Sequence, residues 1–152
     1  MLAEKKWYII NLKLRREQKT FDYLTRKKIE IYFPLNKIRK RQENKSSSYI
    51  YQPLFFHYAF VYITETEIAI VRHCEGVLHF LYWLGDYAIV SKEDINAVRL
   101  FLNIYQNVWL EKATVDTENN RPINIHGGIN TYGYSKENNI EKLFLPTLGY
   151  FL

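Results

Sequence analysis

The sequence predicts an α+β fold, an antiparallel sheet with helices packed on one face. Three observations carry that expectation. Short runs rich in aromatic and β-branched residues recur, separated by amphipathic runs at helical spacing. Two of the amphipathic runs open on capping signals, at Thr64-Glu65-Thr66-Glu67 and at Ser91-Lys92-Glu93-Asp94. In the run from Pro53 to Ile63, alternation puts Tyr58, Phe60 and Tyr62 on one face and Ala59, Val61 and Ile63 on the other. Both faces are apolar. Such a strand must be covered twice, once by the domain's own helices and once by more of the chain or by a partner.

Trp7-Tyr8-Ile9-Ile10-Asn11 reads as the first strand. The segment Leu14–Lys28 reads as a helix that packs through Phe21 and Leu24, leaving Lys13, Arg15, Arg16 and Lys19 to face solvent or phosphate. Ile29, Ile31, Phe33 and Leu35 mark a second strand, whose Pro34 implies an edge or a bulge. Lys37–Ser48 is then the polar, basic tip of a long hairpin that returns through Tyr49-Ile50-Tyr51 to the central strand. Its Arg39, Lys40 and Arg41 are placed to touch nucleic acid, although such tips are commonly just soluble loops.

After Ile63 a short helix turns Ile68 and Val71 inward and stops at Gly76. Val77–Trp83 is a strand, Gly85-Asp86 a turn and Tyr87–Val90 another strand. The helix from Ser91 carries the apolar stripe Ile95, Val98, Leu102 and Tyr105. Residues 107–120 are polar and patternless, as in a linker. Residues 121–152 hold short apolar runs between glycine turns, as in a small β-barrel. They are too few to close a barrel with its own core, so this segment is expected to be incomplete or to lean on the first domain.

The formal charge is +5, unevenly spread. Residues 1–45 hold 14 Lys/Arg against 5 Asp/Glu, and residues 46–152 hold 7 against 11. The basic first third favours a polyanion, most often nucleic acid, unless its cations are simply solvated faces. Charges interrupt every long apolar run, which excludes a membrane span and a secretory signal. The single Cys74 forms no internal disulfide, and the four histidines show no metal-ligand spacing; a reducing cytoplasm and no cofactor are expected. There is no Ser/His/Asp order, phosphate loop or carboxylate pair, and His73 beside Cys74 is only a chain neighbour, so no enzyme is expected.

Several of these pieces together resemble the NusG N-terminal domain. They are Trp7-Tyr8, Arg15-Arg16-Glu17, Tyr32-Phe33-Pro34-Leu35 before a basic hairpin, Pro53-Leu54-Phe55 with Tyr58 and Phe60-Val61, Val71-Arg72, and Gly76-Val77 with Phe80. The resemblance covers roughly residues 5–106 and is closest to specialised paralogues, of the RfaH type or encoded with capsular polysaccharide operons. Residues 107–120 would then be the linker. Residues 121–152 resemble part of the family's KOW barrel through Ile123-Asn124-Ile125 before Gly128 and through Leu145-Pro146-Thr147-Leu148-Gly149. The tail departs from that pattern in Ile129, in Gly133 and in its missing last strand.

The resemblance implies a transcription elongation or antitermination factor, a monomer that binds the clamp helices of RNA polymerase's largest subunit through an apolar depression. Tyr8, Phe55, Tyr58, Phe60 and Trp83 stand at the matching aromatic positions; for any one of them alone, a place in the core weighs about as much. The resemblance also implies contact with the non-template DNA strand near the start of the first helix and the end of the second. Lys13, Arg15, Arg16 and Lys19 match the first place, Arg72 and His73 the second, while Glu75 stands where RfaH-type chains carry an Arg. The C-terminal segment would meet the ribosome or Rho. Phe56 replaces the family's usual proline and adds apolar surface. A rival reading is a ferredoxin-like module with no polymerase contact, whose sheet aromatics stack on single-stranded nucleic acid.

Overall fold

The computed structural model describes residues 3–41, 47–55 and 57–108, followed by the strand segments 111–112, 114–116, 121–123, 134–137, 140–145 and 150–151. Phe56, the Gly127-Gly128 turn, Ile129 and Gly133 lie outside the described residues. Two compact units form, one from Met1–Pro34 with Phe55–Lys92 and one from Leu35–Leu54 with Glu93–Leu152.

The elements begin with β1 (Lys6–Leu12), α1 (Glu17–Arg26), β2 (Glu30–Tyr32), β3 (Leu35–Arg41), β4 (Ser47–Pro53) and β5 (Tyr58–Ile63). Then come α2 (Ile68–Arg72), β6 (Val77–Phe80), β7 (Tyr82–Trp83), β8 (Asp86–Tyr87), β9 (Ile89–Val90) and α3 (Lys92–Ile104). The tail holds β10 (Glu111–Lys112), β11 (Thr114–Asp116), β12 (Arg121–Ile123), β13 (Tyr134–Glu137), β14 (Ile140–Leu145) and β15 (Tyr150–Phe151).

The first unit is an antiparallel sheet in the order β2-β5-β1-β6, with β9 also paired to β1. Its most apolar strands, β5 and β1, lie inside the sheet, because a strand apolar on both faces needs neighbours and two covers. The register pairs Tyr8 with Val61 and Ile10 with Ala59, so these share a face with Leu12 and Ile63. That face carries the main core, closed by Leu24 of α1 and by Ile68 and Val71 of α2. The predicted α+β architecture is therefore the observed one, with α1 and α2 on one face. Pro34 lies just past β2, which is the edge strand, in agreement with its missing N–H.

Local details depart from the expectation where packing decides. Phe21 is exposed, and Thr20 takes the buried place beside Leu24, its hydroxyl donating to the Arg16 carbonyl at 2.8 Å. The reason is a close approach: a Cβ on Gly76 would lie 1.8 Å from Thr20 Oγ1, so the chain after α2 passes against α1 only because position 76 has no side chain. The capping signal at Thr64 holds, with the Thr64 N–H donating to the Glu67 carboxylate at 2.8 Å and a short 3₁₀ turn leading into α2. The run Val77–Trp83 is two strands, β6 and β7, separated by Leu81.

In the second unit β3 and β4 form a ribbon from Leu35 opposite Pro53 to Arg41 opposite Ser47. Asn36 anchors its base, donating to the Val108 carbonyl at 2.5 Å and accepting from the Val108 N–H at 3.0 Å. The Arg39 N–H donates to Asn107 Oδ1 at 3.1 Å. Along α3 the buried residues are Asp94, Ile95, Val98 and Phe101, with Phe101 taking the place expected for Leu102. The described residues of the tail are β: β10-β15-β14-β13 form one antiparallel sheet and β11-β12 a hairpin. The stretch expected to be a linker thus contains β10 and β11. Thr114-Val115-Asp116 pairs with Arg121-Pro122-Ile123 through its backbone, a pairing its polar side chains conceal.

The junction of α1 with the chain after α2 is testable by stability. Gly76→Ala is expected to destabilise the protein by about 1–3 kcal/mol in urea unfolding. Added to Thr20→Ala it should cost less than it does alone, because the clashing oxygen is gone.

Candidate functional site

The face of the sheet opposite α1 and α2 is built from alternate residues of β1, β5 and β6. Trp7 pairs with Tyr62, Ile9 with Phe60 and Asn11 with both Tyr58 and His79. At one end the rings close on themselves: Trp7 stacks on Tyr62 at 5.1 Å, and the Lys92 ammonium lies 5.2 Å from the Tyr62 ring centre. At the other end the face opens. Tyr58, Asn11 and His79 lie abreast across three strands, none of them buried. Behind Tyr58, Phe60 meets Phe55 edge-on at 5.5 Å. His79 Nδ1 donates to the Phe80 carbonyl at 3.1 Å, which leaves Nε2 to accept from Asn11 Nδ2 at 3.4 Å.

The five aromatic residues singled out in the sequence do not line one surface. Tyr8 lies on the α1–α2 face, 3% exposed, edge-on to Phe80 and Tyr87 at 6.1 and 5.8 Å; it is a core residue. Phe60 is 1% exposed and Phe55 also buried, so they form a floor rather than a contact surface. Neither ring offers an open face to a partner or to a base. Tyr58 keeps exposed area, and Trp83 on β7 is 68% exposed. The sequence reading missed Asn11 and His79, because their place depends on the register of β1 against both neighbours.

The cations divide in the same way. Arg16, Lys19 and His73 line one depression of about 440 Å³ beside α1, together with Tyr23, Arg26 and Glu75. The start of α1 and the exit of α2 do come together there. Arg26 joins them because Arg16, Lys19, Tyr23 and Arg26 recur at helical spacing, a signal present in the sequence. Glu75 lies 4.0 Å from Arg16, with both side chains well exposed, so it tempers the positive field without forming a strong pair. Arg15 is exposed at φ 61°, and Lys13 is half-buried.

Arg72 turns elsewhere. Its guanidinium donates to the Tyr82 hydroxyl at 2.7 Å and to the Tyr87 hydroxyl, and lies 5.8 and 5.4 Å from the Phe80 and Tyr87 ring centres. It ties β7 and β8 to the end of α2 and is absent from the depression's lining. Arg39 is exposed on β3 in the other unit; of Lys40 and Arg41 only the backbone is described. Among the described residues no cluster of three or more His, Cys, Asp or Glu could hold a metal ion. No helix there is long and apolar enough to cross a membrane.

Among the described residues, two tyrosines titrate high. Burial raises the Tyr8 phenol above its usual value, helped by the charges of Glu65, Asp86 and Glu4. The Tyr87 phenol is raised first by its hydrogen bond with Tyr82 and then by burial, against the pull of Arg72.

Residues 5–99 match the family model NusG, described as transcription termination factor nusG. No curated protein matches the chain. Among solved structures it is similar to one titled "Domain interaction in Thermotoga maritima NusG", at 18% identity and a TM-score of 0.46. That likeness covers 74% of this chain and 66% of the Thermotoga maritima chain.

The buried phenol yields an alkaline test. With its pKa raised in the folded state, Tyr8 contributes fully below the unfolded value of about 10, and that contribution fades as pH rises through the folded value. Tyr8→Phe is therefore expected to weaken the fall in unfolding free energy above pH 10, measured by urea unfolding at stepped pH.

Proposed function

Because the chain belongs to the NusG family, we propose that it is a transcription elongation and antitermination factor that binds RNA polymerase through the open end of its sheet. NusG-family proteins bind RNA polymerase and are not enzymes. The observation that carries the reading is the row Tyr58–Asn11–His79 on the face left free by α1 and α2, backed by the Phe55–Phe60 floor. A rigid ring beside two polar side chains suits the apolar stripe of a docking helix, where an aromatic anchor contributes area at little entropic cost and flanking polar groups fix register. The partner element is the clamp helices of the largest subunit, and Trp83 extends the contact from β7.

The depression beside α1 serves the displaced non-template strand. Arg16, Lys19 and His73, with Lys13 and Arg15 nearby, supply phosphate contacts that need no base reading. Glu75 beside Arg16 supports a weaker, salt-sensitive hold on DNA rather than tight recognition of one signal.

Retention of purified polymerase on the immobilised chain separates the two surfaces. Tyr58→Ala should lower retention at least tenfold while the thermal unfolding profile stays within a few degrees. Arg16→Glu with Lys19→Glu should leave retention intact and abolish cross-linking to the non-template strand of an assembled elongation complex. Wild-type retention by Tyr58→Ala would refute the docking surface.

A further inference from the structure

The β3–β4 ribbon carries a ladder that the functions above do not use. Its register sets Lys37 opposite Tyr51 and Arg39 opposite Tyr49, so two cations and two tyrosines share one face of a twisted pair of strands. Both rings are open, Tyr49 at 43% and Tyr51 at 63% exposure. The Lys37 ammonium leans diagonally over the Tyr49 ring, 4.3 Å from its centre, which holds positive charge against that ring. Neither strand contains a carboxylate, and β3 adds Lys40 and Arg41. An exposed aromatic pair on an edge-rich ribbon would be a liability in a merely structural hairpin. The backbone beneath it is pinned by Asn36 to Val108 and by Arg39 and Lys37 to Asn107, so the rings stand on a braced support.

We propose that this face is a second nucleic-acid site, which takes unpaired bases on Tyr49 and Tyr51 and the linking phosphates on Lys37 and Arg39. The chemistry selects the ligand. Cations alone would accept any polyanion, and open rings alone would accept any apolar surface; the alternation of the two fits a single strand, whose bases and phosphates alternate as well. The spacing agrees. Tyrosines two residues apart on a strand stand about 6.8 Å apart, twice the 3.4 Å advance per base in a stacked strand, so a stretched single strand meets one ring after the other. A duplex keeps its base faces covered and gains only the phosphate contacts. The site lies in the second compact unit and does not rest on polymerase docking.

Fluorescence anisotropy of a fluorescein-labelled 15-nucleotide oligothymidylate tests it on the full chain carrying Arg16→Glu and Lys19→Glu, so that the depression beside α1 does not contribute. Adding Tyr49→Ala and Tyr51→Ala should weaken binding at least tenfold, as expected for losing stacking on two bases. Tyr49→Phe with Tyr51→Phe should bind within about twofold of the parent, since the ring and not the hydroxyl carries the contact. Circular dichroism of the variants should be unchanged, both side chains being exposed. The proposal falls if the alanine pair binds as tightly as the parent. It also falls if a 15-base-pair duplex or polyglutamate competes as well as unlabelled oligothymidylate, which would make the ribbon a general polyanion site.

Discussion

The pairing of β1 with β5, from Lys6 opposite Ile63 to Asn11 opposite Tyr58, decides which residues this protein can offer to a partner. A slip of one residue would exchange the two faces of β1. It would send Tyr8, Ile10 and Leu12 away from the helices and bring Trp7, Ile9 and Asn11 under them. The register is held because Ile10, Ala59, Val61 and Ile63 leave no exposed surface on the helical side, and none of them could move to water without a cost of about 1.5–3 kcal/mol for each large side chain. With one face committed to Leu24, Ile68 and Val71, the proposed docking falls to the other, at the end where the rings stop closing on each other.

The same economy appears where α1 meets the segment after α2. Gly76 lets the chain pass against Thr20, and that close passage brings His73 and Glu75 beside Arg16 and Lys19. A packing contact thus sets the shape of a charged depression. Arg72, one turn earlier, is spent on the hydroxyls of Tyr82 and Tyr87, and so secures the β7–β8 hairpin that carries Trp83. Cations adjacent along the chain therefore have different work, one structural and others facing the solvent.

Much of the fold was legible in the residues. The alternation in Tyr58–Ile63 and the Thr64–Glu67 cap follow from backbone chemistry that acts within a few positions, and each is found in the structure. The family resemblance was equally local, resting on short runs spread through residues 5–106, and the matched span of 5–99 agrees with it. The site was only half legible. Tyr58 could be assigned to a face by alternation, but Tyr8 could be set against Phe60 only once the β1–β5 register was known, and that register depends on contacts between residues some fifty positions apart. Thr20 displaced Phe21 for a like reason, through a glycine on another element. Thr114-Val115-Asp116 escaped notice because a pairing made by backbone groups leaves little trace in polar side chains.

The proposed docking face is tested most directly by site-specific photocross-linking to core RNA polymerase. With p-benzoylphenylalanine in place of Tyr58, an adduct is expected on the clamp helices of the largest subunit, and the same group in place of Phe21, exposed on α1, should give none there. A clamp-helix adduct from position 21 and none from position 58 would contradict the account.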